Sequence, residues 1–291
     1  MSDELLFCIP LEDPSGDFET AAELLSALEV EFSSNFDRET GAVRHTVYTA
    51  SRDAADAECA RLRTMLPGWR ELGVELRMGE VFPLRKAEWA EAWKRYFHPV
   101  EISERLLVRP AWRDDAPRPG QRVLSINPGM SFGTGQHATT LFCLRQIDRL
   151  AVPGGSLLDA GCGSGILAIA AGLLGYGRID AFDFDPEAVA AAGENIRLNG
   201  LSDRIVPELG NAADWRGAGG RYDVVCANLL GHLLIAFRFN IAGWVAPGGH
   251  LVLAGILERD FPKVSAAYTE LGLTEVERFT DREWTGGVFR S

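Results

Sequence analysis

The chain has 291 residues, 46% of them hydrophobic and 24% charged, a mixture that excludes a disordered or fibrous chain and sets an expectation of two domains, each with a core of its own. Twenty-nine Lys and Arg against 41 Asp and Glu leave a net charge of −12, which repels phosphate backbones and anionic lipids, so no direct nucleic-acid or membrane partner is expected. Five scattered cysteines (Cys8, Cys59, Cys143, Cys162, Cys226) form no C-x-x-C pair, which suits a reducing compartment and predicts neither a disulfide framework nor a metal site. With no basic leader and no apolar run near the roughly 18 residues of a membrane span, the chain reads as soluble and cytoplasmic.

The first 100 residues carry 11 basic and 19 acidic side chains, and Met1 to Asp37 holds ten carboxylates with no Lys or Arg. That run reads either as a solvated acidic face or as a docking surface for something basic, with Asp13, Asp17 and Glu23 as candidate contacts. Periodicity predicts a strand at Leu5–Leu11, a helix at Phe18–Leu28 capped by Asp17, a strand at Val43–Thr49, a helix at Ala54–Leu66 stopped by Pro67-Gly68, and a strand at Leu72–Met78. A further strand is expected around Glu29–Asn35. Two helices against one small antiparallel sheet make a ferredoxin-like α+β domain, placed at residues 1–78. Trp89, Trp93 and Tyr96 or Phe97 then form an aromatic stripe on a short connecting helix, within a linker at 79–98.

Leu106–Arg109 and Arg122–Ile126 read as strands separated by a Pro- and Asp-rich turn. From Ser156 strands and helices alternate: strands at Ser156–Ala160, Ile179–Asp183, Arg204–Pro207, Tyr222–Ala227 and His250–Ala254, then a hairpin of Thr274–Thr280 and Trp284–Arg290. Asp185-Pro186 opens a helix that Asn199-Gly200 closes. The pattern predicts an α/β domain at 99–291 with a mostly parallel sheet covered on both faces.

Four motifs carry chemistry. Asp159-Ala-Gly161-Cys-Gly163-Ser-Gly165 turns a strand into the helix Ile166–Leu174, and its alternating glycines let backbone N–H groups approach a ligand. It lacks the Gly-Lys-Ser/Thr of a P-loop, and Ile166 stands where the last glycine of G-x-G-x-x-G would be. The spacing D-x-G-x-G-x-G suits a nucleoside without phosphates, such as S-adenosylmethionine. Asp183, at the end of the next strand, can accept both ribose hydroxyl hydrogens, whereas Asp185 reads as an N-cap. Asn228 ends an apolar strand at the ligand-binding edge of the sheet, where its carbonyl could hold a substrate amine or its side chain could cap the next helix. The run Asn127 to Thr140 is a glycine-bearing loop before a helix, with Thr139 as the expected N-cap and His137 as a structural histidine.

The run Phe132-Gly133-Thr134-Gly135-x-His137-x-Thr139-Thr140, with the glycine loop at 159–171 and Asp183-Phe-Asp-Pro, resembles the PrmA family, the bacterial ribosomal protein L-eleven methyltransferases. Trp89-x-x-x-Trp93, His98-Pro99, Ala227-Asn228-Leu229 and Gly255-Ile256-Leu257 add to the likeness, which covers residues 87 to 291. The resemblance implies a seven-stranded, Rossmann-like class I methyltransferase domain behind a substrate-recognition domain. It implies transfer of methyl groups from S-adenosylmethionine to lysine ε-amines and the N-terminal α-amine of a basic ribosomal protein. By position it places Phe132, Gly133, Thr134, His137 and Thr139 in a loop that encloses the cofactor. Asp159, Gly161 and Gly163 lie with the methionine part, Asp183 on the ribose, and Asn228, with Thr134, beside the transferred methyl. Ala138 and Asn127 depart from the family pattern. Another protein-lysine target, or a small-molecule substrate, remains as an alternative.

Overall fold

The computed structural model describes residues 5–14, 21, 24–25, 28, 30–36, 43–71, 73–85, 97–127, 137–217 and 219–291. The chain forms two compact units, Met1–Tyr96 and Phe97–Ser291.

In the first unit, β1 (Leu5–Asp13) runs antiparallel to β3 (Val43–Thr49), which pairs on its other side with β2 (Phe32–Phe36). Val43, His45 and Val47 alternate onto the buried face, the two-residue period of a strand, and Ile9 and Leu11 of β1 join the same core. The helix α1 (Arg52–Glu71) covers it with Ala55, Cys59, Leu62 and Trp69. The expected stop at Pro67 does not occur. Pro67 lies inside α1, whose last turn is held by Trp69, buried at 8% exposure; an aromatic ring in the core outweighs the hydrogen bond that proline forfeits. The expected strand Leu72–Met78 shrinks to β4 (Arg77–Met78), and β5 (Phe82–Arg85) pairs with β1, so the sheet runs into the stretch read as linker. Most of the first expected helix, with Asp17 and Glu23, and the linker helix from Trp89 lie outside the described residues. Asp13 is not a surface contact: it is 1% exposed at the end of β1, and its charge acts on the buried His45.

The second unit opens with a three-stranded sheet, β6 (Val100–Glu101), β7 (Leu106–Pro110) and β8 (Arg122–Ile126), in which β7 and β8 are parallel. The helix α2 (Ala138–Arg149) leads to the main sheet, whose strands are β9 (Ser156–Ala160), β10 (Arg178–Asp183), β11 (Pro207–Leu209), β12 (Tyr222–Asn228), β13 (Val245–Leu257), β14 (Thr274–Asp281) and β15 (Trp284–Arg290). Their order is β11-β10-β9-β12-β13-β15-β14, parallel from β11 to β13 and antiparallel through the closing hairpin. Helices α3 (Ile166–Leu174), α4 (Pro186–Leu198), α5 (Gly231–Ala236), α6 (Arg238–Gly243) and α7 (Phe261–Thr269) complete the unit.

Two strands of this unit, β11 and β13, differ from expectation by more than one residue at an end. Arg204 and Ile205 turn back onto Leu201 O, with Ile205 buried at 1%, so β11 starts only at Pro207. β13 spans 13 residues because Val245 pairs with Tyr222 before a register shift, and the Pro247-Gly248-Gly249 excursion lies within the strand. The sheet is buried on both faces, Leu157, Val224, Cys226 and Val252 in one cluster and Leu158, Val225, Leu251 and Leu253 in another.

Candidate active site

The connections diverge at the centre of the main sheet: from β9 the chain steps outward to β10 and β11, then returns to add β12 on the other side. The crevice at the carboxyl ends of β9 and β12 is therefore the topological switch point, where α/β sheets bind ligands. Ala160 pairs with Phe182 and with Ala227, so Gly161, Asp183 and Asn228 each stand one step beyond the same row. Parallel register, not sequence proximity, gathers them.

The loop between β9 and α3 is left-handed at each glycine, with φ of +77° at Gly161, +51° at Gly163 and +77° at Gly165. A Cβ on Gly161 would come within 2.5 Å of Leu229 Cδ2, and one on Gly165 within 3.0 Å of Ala192 Cβ, so backbone conformation and packing both demand glycine. The loop is held from two sides. Gly163 N–H donates to Asp183 Oδ2 at 2.8 Å, and Ala168 N–H, in the first turn of α3, donates to Asp159 Oδ2 at 3.1 Å. Gly165 at the N-cap has no side chain to offer, so Asp159 supplies the acceptor from the strand below. Asp159 is 1% exposed, and burial pushes its carboxyl up to about 7, against the opposing pull of the Ala168 N–H. Burial also pushes the Cys162 thiol up, so this cysteine inside the loop is a packing residue rather than a nucleophile.

Asp183 is 7% exposed, and its Oδ1 accepts the Asp185 N–H at 3.1 Å. Each oxygen keeps a further lone pair for a hydroxyl donor. Asp185 is the N-cap of α4, accepting the Glu187 N–H at 2.8 Å, as its spacing to Pro186 suggests.

Asn228 caps no helix: α5 begins after Leu230, without a side-chain cap. Its Oδ1 is buried and, among the described residues, has no hydrogen-bond partner. An unpaired buried acceptor costs about 1–3 kcal/mol, so its persistence calls for a ligand donor.

Phe132, Gly133 and Thr134 lie outside the described residues; His137 and Thr139 lie within them. The N-cap of α2 is His137, not Thr139. His137 Nδ1 accepts from Thr139 N and lies 2.7 Å from Thr139 Oγ1, while its ring meets Trp284 edge-on at 5.1 Å. Thr139, 2% exposed, sits inside the first turn of α2. The aromatic shelf of Trp284 comes from the far hairpin, 147 positions along the chain, and lends His137 a rigid wall that a threonine cap would not use.

Two site residues had no signal in the sequence, and a third, Gly255, entered only through the family likeness. Trp284 is one. Asn195 of α4, 2% exposed, accepts the Asn127 N–H at 2.9 Å and donates to Ser164 O at 3.0 Å, joining the end of the β8 segment to the glycine loop. Gly255 of β13 faces Asn228. A buried asparagine in a helix or a glycine in a strand is ordinary until the fold shows what it touches.

The residues fit a sulfonium nucleoside: a left-handed glycine turn stripped of Cβ atoms, a carboxylate at the adjacent strand end, and, at the end of β12 on the same sheet edge, an amide oxygen without a hydrogen-bond partner among the described residues. Fold and loop together define the α/β methyltransferase class, whose methyl donor is S-adenosylmethionine.

Comparison with known proteins narrows the class. The profile of the family described as Ribosomal protein L11 methyltransferase (PrmA) matches residues 26–291. A protein named ribosomal protein L11 methyltransferase from Pelotomaculum thermopropionicum is 41% identical over 197 residues, 68% of this chain and 63% of that protein. One of the same name from Geobacter sp. is 42% identical over 213 residues, 71% of this chain and 68% of its own length. The crystal structure of a ribosomal protein L11 methylase from Lactobacillus delbrueckii subsp. bulgaricus superposes with a TM-score of 0.60 at 29% identity, covering 67% of this chain and 97% of that one. The chain belongs to the PrmA family.

Proposed function

We propose that this chain methylates amino groups, lysine ε-amines and the N-terminal α-amine, of ribosomal protein L11. The reading extends to the whole molecule: Phe97–Ser291 is a seven-stranded, Rossmann-like class I domain, and Met1–Tyr96 is a ferredoxin-like domain that recognises the protein substrate. A basic ribosomal protein suits the net charge of −12, which raises association rate more than affinity. The site of action is the cytoplasm, in keeping with five free, buried cysteines. No helix among the described residues is long and apolar enough to cross a membrane.

When bound, S-adenosylmethionine supplies a methyl group carried on a positively charged sulfonium. The residues of the chain do the rest. Gly161 and Gly163 receive the methionine part, with Asp159 holding the loop from beneath. Asp183 takes the ribose hydroxyls. Phe132, Gly133 and Thr134 belong to the segment read as enclosing the cofactor and excluding water, which His137 at the N-cap of α2 and Thr139 in its first turn flank on the C-terminal side. Asn228, through its carboxamide oxygen, and Thr134 aim the target nitrogen. Free lysine has a pKa of about 10.4, so most of it is protonated and unreactive at pH 7. A desolvated pocket favours the neutral amine, and holding it about 3 Å from the methyl, in line, lowers the barrier by orientation. No side chain is assigned as a general base.

The single observation that carries this reading is the buried, unpartnered Asn228 Oδ1 at the same sheet edge as the glycine loop and Asp183. The deciding experiment incubates the purified chain with L11 and S-adenosylmethionine and reads the product by mass spectrometry. Added mass in steps of one methyl, on lysine or the N-terminus, is expected. An unmodified L11, with label on a different ribosomal protein or a small molecule, would redirect the substrate assignment.

A further inference from the structure

Asn228 and Leu229 are clasped between two left-handed glycines. On one side the Leu229 side chain lies over Gly161, leaving no room for a Cβ there. On the other stands Gly255, with φ of +79°, where a Cβ would come within 2.8 Å of Leu229 O and 3.0 Å of Asn228 Oδ1. Both oxygens lie within 3.0 Å of the position that a Gly255 Cβ would take, so the two acceptors stand side by side at the end of β12.

The backbone explains why a glycine stands in the middle of a strand. β13 is in register with β15 up to the pair Leu253–Gly287, then resumes at Ile256–Thr285, so Ala254 and Gly255 together oppose Gly286. This is a β-bulge with its left-handed residue at Gly255. β12 ends against it: Asn228 pairs with Ala254, and Leu229 N–H donates to Ala254 O at 3.1 Å. The bulge turns the Cα face of Gly255, rather than a side chain, towards the two oxygens.

We infer that Gly255 is a positioning residue for the methyl acceptor: by presenting a bare Cα within the β13 bulge it fixes Asn228 Oδ1 and Leu229 O as a convergent pair of acceptors for the target amine. The inference rests on the proposed amine methylation and adds to it one residue, Gly255. Gly255 works only through these two groups. Gly161, on the opposite side of the clasp, belongs to the cofactor loop, so disturbance at Gly255 should reach the acceptor end and spare the donor end.

The test compares Gly255→Ala with Gly248→Ala in the full-length protein. Gly248 lies in the same strand with φ of +75° and nothing within 4 Å of where its Cβ would be, so it carries the same backbone strain without the collision. With L11 as substrate, Gly255→Ala is expected to lower kcat at least tenfold while calorimetric affinity for S-adenosylmethionine stays within twofold of wild type. Gly248→Ala is expected to keep wild-type kcat. Equal kcat in Gly255→Ala and Gly248→Ala, or a parallel loss of cofactor affinity in Gly255→Ala, overturns the inference. Should Gly255→Ala fail to fold, the wild-type chain crystallised with S-adenosylhomocysteine and a lysine-bearing peptide decides. An amine within hydrogen-bond distance of both Asn228 Oδ1 and Leu229 O supports the role, and an amine held elsewhere removes it. A wild-type chain that does not bind S-adenosylmethionine would instead sink the underlying reading.

Discussion

Asp183 Oδ2 accepts the backbone N–H of Gly163 at 2.8 Å, joining the end of β10 to the crest of the glycine loop on β9. The carboxylate thus shapes the loop as well as facing the ligand crevice. Replacing Asp183 by Ala removes the acceptor for the Gly163 N–H at the crest of the loop, whose base stays held by the Gly161 and Cys162 N–H bonds to Phe182 O. A drop of at least tenfold in S-adenosylmethionine affinity is expected by calorimetry, consistent with about 1.5–3 kcal/mol for a hydrogen bond to a charged group. Asp183→Asn, which retains one oxygen, should lose less.

Asp159 predicts an unusual pH profile of stability. Its carboxyl is pushed from an ordinary value near 3.8 up to about 7 by burial, so the folded chain binds more protons here than the unfolded chain between those limits. The stability linked to this proton is fully present below pH 4, declines as pH rises, and is gone above about 7. Asp159→Asn keeps an oxygen for the Ala168 N–H and removes the buried charge. It should raise the unfolding midpoint at pH 8 by several degrees and change it little at pH 5, as read by thermal denaturation. A larger gain at pH 5 than at pH 8 would contradict the sign.

His137 titrates in the opposite sense. Burial lowers its pKa below 6.5, against the smaller pull of Glu283 and Asp281. The folded state therefore disfavours the proton, and stability at this position is retained above pH 6.5 and lost as pH falls through the lowered value. Protonation at Nδ1 would also remove the acceptor that caps α2 and place a positive charge at the positive end of the helix dipole. The protection of the Thr139 to Leu141 amides, measured against their intrinsic exchange rates, should fall between pH 6.5 and 5 in the wild type, and His137→Asn, which caps without titrating, should flatten that dependence.

Asn195 is expected to be costly to remove. Asn195→Leu leaves the Asn127 N–H without its acceptor inside the second unit, at about 1–3 kcal/mol. For a unit of this size, that lowers the unfolding midpoint by very roughly 2–12 °C. Because the same amide ties Ser164 O of the glycine loop to Asn127, cofactor affinity should fall as well. A stability loss with unchanged affinity would confine Asn195 to packing.

What could be read from the chain alone was what local order controls. Ser156–Ala160, Ile166–Leu174, Val43–Thr49 and Trp284–Arg290 fall at their expected bounds because alternation, glycine turns and Pro-capped starts act over a few residues. The glycine loop, Asp183 and Asn228 were legible for the same reason: each sits at a strand end that its own neighbours define. Tertiary structure decided everything that depends on strand order. Pro67 stays helical because Trp69 has a core to enter, and His137 displaces Thr139 as cap with Trp284 at its side. Asn195 and Gly255 gain their partners only when α4 and β13 pack beside segments far away in the chain. Hydrogen bonds and excluded volume act through space, and one-dimensional spacing carries no record of which surfaces the sheet brings together.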